Sequence, residues 1–130
     1  FVPNYDESET EPGDELRVAG WGATKRGGGG SSDVLRDVAT FVAKEHKCEK
    51  SFSFFRAGEE ICTQGECMGY HRTSSCYGDS GGPLVADTLL GARLVGAVSY
   101  GGQRCGVKHP TVYARVADNL GFITDKADLP

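Results

Sequence analysis

The chain has 130 residues, a formal charge of −4 and 19 glycines, about twice ordinary usage. That length excludes two domains of ordinary size, and an acidic pI near 5.3 excludes the basic footprint of a nucleic-acid binder. No apolar run approaches the roughly 20 residues of a membrane-spanning helix.

Phe1-Val2-Pro3 opens the chain without Met or signal peptide, which reads as a processed product or a fragment. Residues 1–15 are acidic, with Asp6, Glu7, Glu9, Glu11, Asp14 and Glu15. This run is expected to be a solvated, extended connector rather than a carboxylate metal site. Leu16 to Gly22 predicts a strand ending in glycine punctuation. Lys25 to Ser32 holds four consecutive glycines, Gly27 to Gly30. No Gly-Lys-Ser/Thr follows, so a flexible, protease-sensitive loop is expected instead of a phosphate cradle. Val34 to Val42 alternates as a strand, and Ala43 to Ser51 leaves room for about one helical turn.

Three further β-rich runs follow, Leu84 to Ala86, Leu94 to Tyr100 and Thr111 to Val116. Turn residues separate them at the spacing of an all-β barrel or sandwich of about six strands. Val116, Leu120 and Ile123 share one helical face, so a helix over about 116–126 closes the chain. Gly121 weakens it by about 1 kcal/mol. Five cysteines beside so much glycine suggest a disulfide-stapled, secreted β protein. The odd number leaves at least one thiol without an intrachain partner.

Two local patterns suggest chemistry. Gly78-Asp79-Ser80-Gly81-Gly82 fits the nucleophile-elbow pattern, which needs a strand before it and a helix after it. Here a cysteine-rich loop precedes, and Pro83 with an apolar strand follows, so that reading is set aside. Cys62, Cys67, His71 and Cys76 have the spacing of a zinc knuckle. Cys76 runs directly into the serine motif, so zinc is set aside too. No metal and no cofactor is expected.

Four blocks in order carry a stronger signal. They are Val18-Ala19-Gly20-Trp21-Gly22, Cys76-Tyr77-Gly78-Asp79-Ser80-Gly81-Gly82-Pro83-Leu84-Val85, Val98-Ser99-Tyr100-Gly101, and His109-Pro110-Thr111-Val112-Tyr113-Ala114-Arg115-Val116. From Leu16 to about Asp125 the chain resembles the C-terminal half of trypsin- and chymotrypsin-like serine proteases. The resemblance implies a six-stranded antiparallel β-barrel with a closing helix over 16–130, one of two barrels in the complete enzyme. Residues 1–15 then form the connector between barrels.

The resemblance makes Ser80 the nucleophile and the Gly78 and Ser80 N–H groups the oxyanion hole. It makes Asp79 the partner of an N-terminal amine created by zymogen cleavage, rather than a member of the catalytic triad. The alternative for Asp79 is a turn carboxylate bonding local backbone N–H groups. Ser74 falls at the base of the specificity pocket, with Ser75 and Tyr77 beside it. Gly101 and Thr111 fall on its two walls, and Ser99, Tyr100 and Gly101 on the strand that pairs with substrate backbone. A neutral Ser74 excludes a basic residue before the cleaved bond, because its charge would be buried unpaired. Cleavage is expected after medium apolar residues such as Leu, Met or Ala, with Phe and Tyr also accepted. Cys48–Cys62 and Cys76–Cys105 resemble family bridges, each stabilising by about 2–4 kcal/mol. Leu16 and Ala86 stand where a third family bridge would be. Cys67 is left free or joined to another chain.

A serine needs a base. None of His46, His71 and His109 lies in a setting like that of the family's catalytic histidine, and each is expected in an exposed loop. The expected partners are therefore an N-terminal protease chain supplying His and Asp, a polypeptide substrate and a protein inhibitor. The alternative is an inactive homologue or fragment serving as a binding or inhibitory module.

Overall fold

A computed structural model describes residues 2–4, 8–25, 29–69 and 71–128. Phe1, Asp6, Glu7 and the Arg26–Gly28 part of the glycine-rich loop lie outside the described residues. In chain order the elements are β1 (Val2–Pro3), β2 (Glu15–Gly20), β3 (Arg36–Val42), α1 (Glu45–Ser51), β4 (Glu60–Gly65), β5 (Cys67–Met68), β6 (His71–Arg72), β7 (Pro83–Thr88), β8 (Gly91–Tyr100), β9 (Thr111–Arg115) and α2 (Leu120–Lys126).

Six antiparallel strands form a closed ring. The order runs β8-β7-β2-β3-β4-β9, and β9 pairs back onto β8. Outside the ring, β1 lies parallel to β8 through Val2↔Arg93 and Pro3↔Leu94. The two-stranded β5–β6 hairpin stands apart from the barrel sheet.

Alternation explains the closure. Along β2, Leu16 and Val18 turn inward while Glu15 and Arg17 face out. The Arg17 guanidinium reaches Asp87 on β7 and Asp37 on β3, tying three strands across the outer face. Inside, Leu16, Val18, Val42, Ile61, Leu84, Ala86, Val95, Val98 and Tyr113 form the core. The register Arg17↔Val85 and Val18↔Leu84 carries Leu16 opposite Ala86. Both are buried, so apolar packing fills the position where the resemblance lacks a bridge. A second cluster, Cys48, Phe52, Cys62 and Val112, sits under α1.

Three elements depart from expectation. The acidic connector is not simply solvated. The Asn4 N–H donates to Leu94 O, Thr10 is buried against Arg115, and the Gly13 N–H donates to Val42 O. β4 carries no legible strand signal because Ile61, Cys62 and Thr63 are all buried, which erases its period of two. α1 has seven residues instead of one turn, since the Cys48–Cys62 disulfide pins its middle to the barrel. The closing helix runs as expected, opening as a 3-10 turn at Ala117 directly after Val116 and ending at Lys126.

Candidate active site

The segment from Ser74 to Gly82 leaves β6, turns twice and feeds β7. Gly78 has φ +95° and Gly81 has φ +79°, left-handed conformations that favour glycine. The backbone donors in this turn follow an alternating pattern. The Asp79 N–H donates to Cys76 O at 3.0 Å, Gly81 N–H to Val98 O at 2.8 Å, and Gly82 N–H to Asp79 O at 2.9 Å. Among the described residues the N–H groups of Gly78 and Ser80 donate to nothing. These are the two groups expected to form the oxyanion hole.

Asp79 explains two glycines of the first motif block. Its carboxylate accepts the Gly22 N–H at 2.8 Å and the Cys76 N–H at 2.8 Å. A Cβ built on Gly20 would sit 2.0 Å from Asp79 Oδ1, and one on Gly22 would sit 2.4 Å from its carboxyl carbon. The Gly20-Trp21-Gly22 stretch thus leaves space for a carboxylate 57 residues further along the chain. Beside it lies a cavity of about 480 Å³, lined by Asp79, Gly20, Gly22, Ser75, His71 and Lys25 among others.

A separate cleft of about 360 Å³ gathers the expected substrate residues. Ser74, Ser75, Tyr77, Ser80, Ser99, Tyr100, Gly101 and Thr111 all line it. At its base Ser74 Oγ accepts the Gly106 N–H at 2.8 Å, and Gly106 O accepts the Arg72 N–H at 2.9 Å. The Cys76–Cys105 disulfide closes the same corner. At the rim the Tyr77 hydroxyl donates to Gln103 O. Gly101 and Thr111 face each other, since a Cβ on Gly101 would come within 3.8 Å of the Thr111 side chain. A β-bulge between Val98 and Tyr100 leaves Ser99 outside the β8–β9 register at the cleft.

With Cys62 and Cys76 held in disulfides, the zinc-knuckle spacing has lost two of its four ligands. Among the described residues no three His, Cys, Asp or Glu side chains converge as metal ligands. Cys67 is a free, exposed thiol on the β5–β6 hairpin. No helix of the described residues is long and apolar enough to cross a membrane.

The three histidines separate. His46 lies on α1, His71 borders the Asp79 cavity, and His109 borders the cleft. All three are exposed, but only His109 lies in a loop as expected; His46 sits on a helix because the Cys48–Cys62 disulfide pins that segment to the barrel, and His71 pairs in the β5–β6 hairpin. Among the described residues none of the three hydrogen-bonds Ser80. Also missed was Tyr113, wholly buried behind the pocket with Ser75 and Thr63 near its hydroxyl. Burial pushes this phenol above its ordinary range. The period of two from Thr111 was the signal that assigns Tyr113 to the same strand face.

A sequence profile described as Trypsin matches residues 2–123. The human protein named Hepatocyte growth factor activator serine protease is 35% identical over 121 residues, covering 91% of this chain and 18% of that protein. Human Transmembrane protease serine 5 is 38% identical over 117 residues, 88% of this chain and 25% of that protein. The chain thus spans a quarter or less of these relatives. The solved structure of mouse brain neuropsin, titled a serine protease, superposes with a TM-score of 0.81 at 23% identity. That match covers 98% of this chain and 53% of the neuropsin chain, and it shows the shared fold.

Proposed function

The chain belongs to the trypsin family of serine proteases, and from that premise we propose that it is the nucleophile-bearing half of a secreted endopeptidase. The observation that carries this reading is the Ser74–Gly82 turn. It holds Ser80 at a cleft while leaving the N–H groups of Gly78 and Ser80 undonated. In the mechanism Ser80 Oγ attacks the substrate carbonyl, and its proton passes to a histidine on a second barrel. The oxyanion then forms against the two free donors, each typically worth about 2.7–4 kcal/mol in the barrier.

Asp79 acts at one remove. Its carboxylate offers about four lone-pair sites and accepts two backbone bonds. The remaining capacity borders the 480 Å³ cavity, which has room for an N-terminal amine. An amine bound there fixes the Gly78–Ser80 turn. Trp21, Tyr77 and Phe122 are more than half exposed, which supports burial against the second barrel. A protein inhibitor would occupy the same cleft as substrate.

The test is reconstitution. Purified alone, this chain is expected to show no turnover of peptide amides, because loss of the base costs on the order of 10⁴ to 10⁶ in rate. Adding a trypsin-family N-terminal barrel is expected to restore it. Turnover by the chain alone overturns the division of labour, and a complex that binds peptide without cleaving it favours the inactive homologue.

Specificity follows from the Gly101–Thr111 gap. The reconstituted enzyme is expected to cleave after Leu, Met or Ala ahead of Arg. Thr111→Gly removes the bulk facing Gly101 and is expected to shift preference toward Phe and Tyr by about tenfold. Fluorogenic panels read both outcomes, and an Arg substrate winning by tenfold overturns the pocket assignment.

A further inference from the structure

Tyr100 ends β8 at the cleft, and its ring is held from three directions. Phe52 meets it edge-on, with centroids 5.2 Å apart and planes at 89°. Phe54 lies tilted across it at 5.0 Å and 50°. Phe54 is itself 65% exposed, so these aromatic contacts alone form a yielding support. The third hold is polar: the Tyr100 hydroxyl donates to Glu60 Oε1 at 3.2 Å.

Glu60 is built into a tight turn. The same Oε1 accepts the Arg56 N–H at 2.7 Å, and the Glu60 N–H donates to Arg56 O at 3.1 Å. The Arg115 guanidinium donates to Glu60 O, and its other arm donates to the Thr10 hydroxyl. The carboxylate is therefore oriented before Tyr100 meets it. A bond from a hydroxyl to a carboxylate is charge-assisted and stronger than a neutral one.

We propose that Glu60 is a positioning residue of the cleft. By anchoring the Tyr100 hydroxyl it fixes the ring next to Gly101 as a rigid wall for an extended peptide. The side chains that meet this wall lie ahead of the residue in the pocket, and Tyr100 itself lines the cleft there. This rests on the endopeptidase reading above. Burial first, then the Glu60 charge and bond, push the Tyr100 phenol up to about 12. The folded state holds that proton more tightly than the unfolded chain does. The bond therefore contributes in full below about pH 10 and is lost as pH rises through about 12.

The experiment compares two substrates of the reconstituted enzyme, an apolar tetrapeptide amide and a single-residue ester with the same residue in the pocket. Glu60→Ala is expected to raise the tetrapeptide KM about tenfold, with kcat held within about twofold and the ester KM unchanged. Glu60→Gln keeps an acceptor and is expected to restore the tetrapeptide KM. In the Tyr100→Phe background Glu60→Ala is expected to add nothing, because the two act through one bond. Equal losses on both substrates, failure of Glu60→Gln to rescue, or additive effects each overturn the proposal. Should Glu60→Ala unfold the Arg56 turn, Tyr100→Phe alone leaves that turn intact and must raise the tetrapeptide KM selectively. An unchanged KM there also overturns it. A wild-type enzyme that cleaves neither substrate sinks the endopeptidase reading instead. The anchor is then read separately, from the alkaline titration of Tyr100 in this chain, identified by its loss in Tyr100→Phe. A lower titration point in Glu60→Ala supports the anchor, and an unmoved one overturns it.

Discussion

Ser80→Ala in the reconstituted enzyme is expected to lower kcat by about 10⁶ while leaving KM nearly unchanged. The cleft proposed to bind substrate is built from other residues. Ser74 is fixed by the Gly106 N–H, Thr111 faces Gly101, and Tyr100 is fixed by its rings and Glu60. Replacing one hydroxyl by hydrogen disturbs none of these. The backbone donors also survive, so the residual rate should still exceed that in water. Steady-state kinetics checks the split. A fall in kcat of only about tenfold would mean that another group attacks the carbonyl.

The second large effect is expected at Asp79. Asp79→Ala strands the N–H groups of Gly22 and Cys76, each a part-buried donor whose orphaning costs about 1–3 kcal/mol. It also opens a void between Gly20, Gly22 and the turn. The turn that aims Gly78 and Ser80 then loses its carboxylate anchor and keeps only its backbone bonds and the Cys76–Cys105 disulfide, and kcat is expected to drop on the order of 10²–10³, as for loss of an oxyanion donor. Asp79→Asn should fall between the two, since one amide face still accepts but the other opposes a donor. Thermal melting and kcat measured together check this. A variant that melts lower yet retains full kcat would confine Asp79 to stability.

The Asp79 pair of bonds also shows where the sequence stops being informative. Four ordered motif blocks made the barrel and the cleft residues legible, because each block is a continuous stretch that joins a strand to its adjoining loop. Gly20 and Gly22 read only as punctuation, since their reason is a carboxylate that folding brings from 57 positions away. β4 was illegible for a related cause. It is buried on both faces and carries Thr and Gln where an apolar strand signal was sought. Glu60 belongs to none of the four motif blocks, and only the β4–β9 and β8–β9 pairings set it near Tyr100. The connector's acidity suggested solvent, while its neutral Asn4 and Thr10 do the docking. Composition reports the majority of a segment, and anchoring here rests on its minority.

The ring closure of β8 onto β9 has a consequence for the chain by itself. Open sheets offer edges on which copies stack, a common route from a folded domain to fibres. This barrel's six main strands each have neighbours on both sides, and β1 covers part of β8's outer flank. Edge-to-edge stacking on the six ring strands is therefore blocked, and the two-residue β1 is the one short edge the sheet keeps among the described residues. Surplus copies would adhere through exposed rings such as Trp21 and Phe122, a reversible contact that dilution undoes.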